Sequence, residues 1–199
     1  MKKTTVMTSS VKQNYYTPQE YLSREETSLV KHEYINGEII EMTGGTPNHN
    51  EISLNFATTL KLKLRGQNAK IYMTDLRLWI PAYQVYTYPD IMVITGQPIL
   101  VENRQDTITN PTLIIEVLSK STKNYDQGDK FDAYCSLSTF QEYILVDQYK
   151  YQVKHYTKQD KQQWLITTYN SQDDTLSLIS FNCEVKLSEI YEEITFDVV

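Results

Sequence analysis

Cysteine is scarce. The 199 residues hold two, Cys135 and Cys183, and neither sits in a CxxC or other metal-ligand spacing, so a cysteine-built metal or redox site is excluded. Two reduced, buried thiols are the expectation, in line with a reducing compartment. Long apolar runs are also missing. No apolar stretch follows Met1-Lys2-Lys3, so residues 1–16 are expected to form a flexible polar N-terminal tail rather than a leader. Nothing reaches membrane-spanning length, and a cytoplasmic location is the expectation. There is no Gly-x-Ser-x-Gly elbow, no phosphate-binding Gly loop, no dinucleotide fingerprint and no convincing Cys–His pair. Repeats, low-complexity tracts and linkers are absent, and the length suits one domain, residues 17–199.

Positive charge is in short supply: 25 acids face 19 Lys and Arg, for a net charge of −6. Such a balance argues at first against nucleic acid. Its distribution changes the argument. Residues 171–199 carry seven acids (Asp173, Asp174, Glu184, Glu189, Glu192, Glu193, Asp197) and one base, Lys186. Removing these from the totals leaves 18 of each sign in residues 1–170. A nucleic-acid-facing surface there is compatible with the composition, although no arginine-rich stripe marks it. Tyrosine is abundant, with 16 residues, and its apolar ring with a polar tip suits the margin of a core or a binding face.

The local pattern is that of a mixed α/β domain. Thr17-Pro18-Gln19-Glu20 predicts a helix start with a capping box, running to about Thr27. Asn36-Gly37 between residues 31–35 and 38–42 predicts a two-residue hairpin. After a loop at Thr43–Pro47, Ile52, Phe56, Leu60 and Leu64 form one stripe of a helix over 48–64. Strands are expected at 71–80, 88–94 and 112–118, the last a continuous apolar run suited to burial on both faces. A helix over 123–136 follows, then strands at 142–146, 151–156 and 164–169, and a short helix at 187–191. The expected architecture is a single domain with a mixed β-sheet flanked by helices.

Two acids break this pattern. Glu116 interrupts Leu113-Ile114-Ile115 and Val117-Leu118, and Asp90 heads Ile91-Met92-Val93-Ile94. A carboxylate in an apolar strand costs several kcal/mol unless a cation, a donor or a proton compensates. Each alone is better explained by pairing with an arginine or by backbone N–H bonds. Two on neighbouring strands repel each other, and a divalent ion such as Mg²⁺, or Mn²⁺ in its place, relieves that repulsion. Asp126, Lys130 and Tyr134 fall on one helical stripe. There Lys130 either reaches over the strand end to position water or offset phosphate charge, or forms a surface pair with Asp126. His49 either contacts a phosphate or lies in solvent. Tyr134 reads as packing.

Together these residues resemble the PD-(D/E)xK nuclease superfamily, and within it the bacterial Uma-type restriction-endonuclease-like family. The matching stretches are His32-Glu33, Ile35-Asn36-Gly37-Glu38-Ile39, the Gly-Gly-Thr loop with His49, and Tyr88-Pro89-Asp90-Ile91. They continue with Pro111–Ser119, Ser121-Thr122, Asp126, Lys130, Tyr134 and Gln141–Asp147. The resemblance covers roughly residues 17–195. It implies a restriction-endonuclease-like fold and metal-dependent endonuclease chemistry on nucleic acid, DNA before RNA. Asp90 and Glu116 are implied as Mg²⁺ ligands, Glu33 as an additional acid, and Lys130 as the catalytic lysine. The superfamily pattern places a lysine two residues after the second acid; Leu118 stands there, and the family's helix lysine maps to Lys130 instead. Lys120 and Lys123 are weaker substitutes. A homodimer would suit cutting both strands of a duplex. The competing reading is a catalytically inactive interaction domain on the same fold.

Overall fold

The computed structural model describes residues 15–119, 126 and 128–196. The chain begins with α1 (Pro18–Glu25), whose Thr17 cap and Glu20 form the expected reciprocal capping box. Strands β1 (His32–Ile35) and β2 (Glu38–Glu41) follow as a hairpin. Asn36 and Gly37 both take positive φ at its turn, 46° and 101°, the conformation for which Asn-Gly is favoured. Helix α2 (Pro47–Lys63) is capped by Thr46. Beyond it come β3 (Ala69–Met73), β4 (Arg77–Ile80), β5 (Val85–Thr87), β6 (Ile91–Thr95), β7 (Thr107–Ile108) and β8 (Leu113–Leu118). Helix α3 (Asp129–Cys135) separates β8 from β9 (Glu142–Asp147), β10 (Val153–Lys158) and β11 (Trp164–Tyr169). The chain closes with β12 (Thr175–Leu178), β13 (Cys183–Lys186) and α4 (Leu187–Ile190).

The expected mixed α/β domain is present, with its strands distributed over three sheets. The largest has the order β11-β10-β9-β8-β6-β3, a second the order β2-β1-β5-β4-β7, and β12-β13 form a ribbon. One expected strand is divided between sheets and another is shortened. Residues 71–80 split because the chain turns after Met73, with the Asp75 and Leu76 N–H groups donating to the Met73 carbonyl. The expected strand over 88–94 begins later, at Ile91, because Tyr88–Asp90 is the crossing from β5 in one sheet to β6 in the other. Pro89 has no N–H to give a ladder, so an interruption there is chemically apt. The expected helix over 123–136 holds across Asp129–Cys135, while residues 123–125 and 127 lie outside the described residues.

Pleating decides what each face of the large sheet meets. Residues 113, 115 and 117 of β8 join Ile91, Val93, Ile144 and Val146 in a core against α2, contributed by Ile52, Phe56, Leu60 and Leu64. The alternate residues Ile114 and Leu118 join Met92, Ile94, Tyr143 and Leu145 beneath α3, with Ala133 and Tyr134. Glu116 belongs to the second set by its parity, so its side chain leaves the sheet toward α3. A third cluster, Tyr21, Tyr34 and Tyr86 with Trp79, packs α1 on the smaller sheet.

Another buried acid has a purely local explanation. Glu142 of β9 is hydrogen-bonded to His155 Nε2 at 2.6 Å and accepts the Ser180 N–H at 2.6 Å, fastening the β12-β13 ribbon to the large sheet. Burial alone would raise its carboxyl, but the bonds from His155 and Ser180 outweigh that and hold it below the ordinary glutamate value. A lowered native pKa gives stability that is present above the unfolded value and lost as pH falls through the native one. We therefore expect the melting temperature of Glu142→Gln to lie below that of the wild type at pH 7. The gap should narrow as pH falls from about 5 to 3, measured by circular dichroism. A pH-independent gap would refute this account. Both thiols are free, Cys183 buried and Cys135 half-buried, so Cys135 is less enclosed than expected.

Candidate active site

Strand pairing brings the two interior acids together. β6 and β8 are antiparallel with Ile91 opposite Ile115, so Asp90 falls beside Glu116. The Val117 N–H donates to Asp90 Oδ2 at 2.7 Å, and the Asp90 N–H donates to Glu116 Oε2 at 3.3 Å. Each carboxylate is thus held by the other's strand. Neither is bonded to an arginine among the described contacts.

Lys130 projects from α3 onto this pair. Its Nζ lies 3.0 Å from Glu116 Oε1, 3.3 Å from Glu33 Oε1 and 3.4 Å from Asp126 Oδ1. The Asp126–Lys130 contact is therefore a buried one, and the surface-pair reading is corrected. The smaller sheet supplies Glu33 from β1, where it also accepts a hydrogen bond from Thr87 at the end of β5. Leu118, two residues beyond Glu116 on the same face, packs in the core beneath α3. The helix lysine reaches the acid from above that face. Lys120 and Lys123 lie outside the described residues.

Tyr134 does more than pack. Its hydroxyl donates to Glu116 Oε1 at 2.8 Å, and the Tyr143 hydroxyl donates to the Asp126 carbonyl at 3.0 Å. Glu116 Oε1 is thus engaged by Lys130 and Tyr134, while Oε2 is turned toward Asp90. On the other side, α2 presents His49, with Nε2 3.3 Å from Asp90 Oδ2. Gly45 faces this ring so closely that a Cβ would meet Nδ1 at 2.9 Å, a reason for glycine at that position.

The protonation energetics follow from burial and these partners. Burial pushes the Glu116 carboxyl well above the usual range; the Lys130 charge opposes this, and Asp90 and Asp126 add to it. Burial alone would lower the Lys130 ammonium, but Glu116, Tyr134, Glu33 and Asp126 outweigh it and hold the proton firmly. Desolvation likewise opposes a charged His49, yet bonding to Asp90 with the nearby Glu116 raises it. Glu116 also contributes to the upward shift of the Tyr134 phenol, where desolvation leads.

Two residues lining the site were not anticipated. Gln148 Nε2 donates to the Leu118 carbonyl at 2.8 Å, and its oxygen accepts from the Thr46 hydroxyl. It joins the ends of β8 and β9 to the loop before α2. The available signal was topological: parallel β8 and β9 end on the same side, so the polar residue after one lies beside the end of the other. Tyr149 is the next residue and lines the same cavity, about 610 Å³ in volume, with Asp90, Glu116, Glu33, His49, Asp126 and Lys130.

Among the described residues, no three His, Cys, Asp or Glu side chains converge as a ready-made metal-ligand set. Magnesium rarely needs one, because it retains several waters and takes one or two carboxylates. Asp90 and Glu116 are hard oxygen donors facing each other, and four acids here share the one ammonium of Lys130, with the His49 imidazole beside Asp90. That donor set fits a hard divalent ion.

Residues 18–188 match the family model Uma2, described as "Putative restriction endonuclease". This chain belongs to the Uma2 family. Two cyanobacterial relatives from Synechocystis sp. (strain ATCC 27184 / PCC 6803 / Kazusa) accompany it. "Uncharacterized protein sll1609" is 41% identical over 172 residues, spanning 86% of this chain and 92% of the relative. "Uncharacterized protein slr1290" is 38% identical over 182 residues, spanning 90% and 93%. A solved structure, described as a putative nuclease belonging to DUF820 from Anabaena variabilis ATCC 29413, superposes with a TM-score of 0.74. That match has 19% identity over 90% of this chain and 99% of the other. This Uma2 chain therefore shares its α/β fold with that protein. No helix among the described residues is long and apolar enough to cross a membrane.

Proposed function

We propose that this Uma2 protein is a divalent-metal-dependent endonuclease that hydrolyses phosphodiester bonds of nucleic acid, DNA foremost. The observation that carries the reading is the Lys130 ammonium, 3.0 Å from a buried Glu116 that meets Asp90 at the end of two interior strands. The family description and the nuclease-titled structural neighbour support the same reaction class.

Asp90 and Glu116 Oε2 would hold the ion, which when bound supplies Lewis acidity to the scissile phosphate. The residues themselves perform the rest. Tyr134 and Lys130 clamp Glu116 Oε1 and leave the other oxygen turned toward Asp90. Lys130 retains its proton, so it serves as a fixed positive charge beside the phosphate rather than as a base. Glu33, across the same ammonium, limits its swing. Water adds to phosphorus, the bond to the 3′ oxygen breaks, and that oxygen takes up a proton. The products are a 5′-phosphate and a 3′-hydroxyl.

A non-catalytic binding domain is the second reading, favoured by Leu118 in the strand-lysine position and by the three carboxylates that already surround Lys130. Incubation with supercoiled plasmid and labelled oligonucleotides separates the two. Cleavage is expected with Mg²⁺ or Mn²⁺, leaving ligatable 5′-phosphate ends, and none with EDTA. Intact substrates under every metal condition, with no heat of Mn²⁺ binding by calorimetry, would remove the nuclease assignment.

A further inference from the structure

The carboxylates and the lysine are recessed. The side chains of Glu116 and Lys130 are 5% and 7% exposed, and those of Asp90 and Glu33 13% each. They line a cavity of about 610 Å³, the size of a small-molecule pocket rather than of a groove along a polymer. Paired bases in a duplex hold the backbone on a broad convex surface, so its phosphates reach recessed acids less readily than those of an unpaired strand. A nucleotide freed from pairing can enter, as enzymes that work in deep pockets require.

The rest of the lining suits the base of such a nucleotide. Ile40, Met42 and Tyr149 line the same cavity as the acids. Ile40 is 43% and Tyr149 45% exposed. Ile40 belongs to β2, the outermost strand of its sheet, and Tyr149 follows directly on β9 and Gln148. An aromatic face and aliphatic side chains beside buried carboxylates form an amphipathic site. The acids handle the phosphodiester end through a hard cation, and the apolar groups take a base by stacking, which tolerates any sequence.

We propose that the site takes an unpaired nucleotide, its base packed against Tyr149, Ile40 and Met42, so that the substrate class is single-stranded nucleic acid or the unpaired arm of a branched duplex. This rests on the nuclease reading for the chemistry, but its binding claim can be tested separately.

Fluorescence anisotropy in Ca²⁺ compares a labelled single strand, a duplex with an unpaired flap, and a blunt duplex of the same sequence. We expect the first two to bind at least tenfold more tightly than the third. Tyr149→Ala should weaken them about tenfold, the ordinary weight of one stacked base, and Tyr149→Phe should restore binding. Unchanged melting curves would confirm that the exposed substitution leaves the fold intact. Equal or tighter binding of the blunt duplex, or indifference to Tyr149→Ala, overturns the proposal. Cleavage measured in parallel with Mn²⁺ separates the two ideas. Blunt duplex cut as fast as the flap, with Tyr149→Ala equal to wild type, leaves the nuclease reading standing and sinks this one. Absence of any cleavage with the single-strand preference and its Tyr149 dependence intact sinks the nuclease reading and upholds the unpaired-nucleotide site.

Discussion

Lys130→Ala is expected to abolish metal-dependent cleavage and to destabilise the fold by about 3–5 kcal/mol, the usual cost of leaving one side of a buried ion pair without its partner. For a chain of this length that lowers the melting temperature on the order of 10 °C. The reason is local. One ammonium lies within 3.4 Å of Glu116, Glu33 and Asp126, and its removal leaves like charges together in a low-dielectric recess. The loss should depend on pH. Without Lys130 the Glu116 carboxyl rises further and escapes part of the penalty by taking a proton, so the variant's deficit at pH 5 should be smaller than at pH 8. Lys130→Met, which keeps the aliphatic stem, tests whether packing contributes; we expect it to recover less than half of the lost stability and none of the activity. A wild-type melting temperature in both variants would show that the ammonium bears no such load.

The second large effect lies in the acid pair. Asp90→Asn and Glu116→Gln are each expected to reduce cleavage on the order of a thousandfold or more, as losses of groups acting on developing charge do. Glu116→Gln should carry the opposite sign in stability. Burial, with Asp90 and Asp126 nearby and Lys130 opposing, raises the native carboxyl pKa to about 8. A raised native pKa means stability that is full below the ordinary carboxylate value and is lost as pH rises through the native one. Wild type should therefore lose melting temperature between about pH 5 and 8, while Glu116→Gln loses less and melts higher at pH 8. Added Mn²⁺ should raise the melting temperature of wild type and leave both variants nearly unmoved. An inactive but pH-insensitive wild type, indifferent to Mn²⁺, would contradict both parts.

A stability gain on losing a functional acid is what a strained site predicts. Strand β8 is apolar on both faces apart from Glu116. His49 and Tyr134 make sense in the same terms. Each adds a donor to a carboxylate that the fold has removed from water, and Gly45 leaves room for the imidazole to do so.

What the sequence determined by itself is the chemistry carried by short range. The capping box of α1 lies within four consecutive residues, the Asn36-Gly37 turn within two, and the stripe of α2 within one helix. The burial of Glu116 follows from the apolar residues on either side of it; residue type and spacing offered Asp90 and Lys130 as candidate partners, and the family resemblance added Glu33. Only the tertiary structure decided which strands pair with which. A run such as residues 71–80 has the same local preference whether it is one strand or two, because backbone propensity does not encode the partner across the ladder. The division of residues 71–80 and 85–95 between two sheets, and the return of β12-β13 to Glu142, depended on contacts far apart in the chain. So did the approach of Glu33, Gln148 and Tyr149 to the acids: long-range packing brings them there, and no local spacing specifies it.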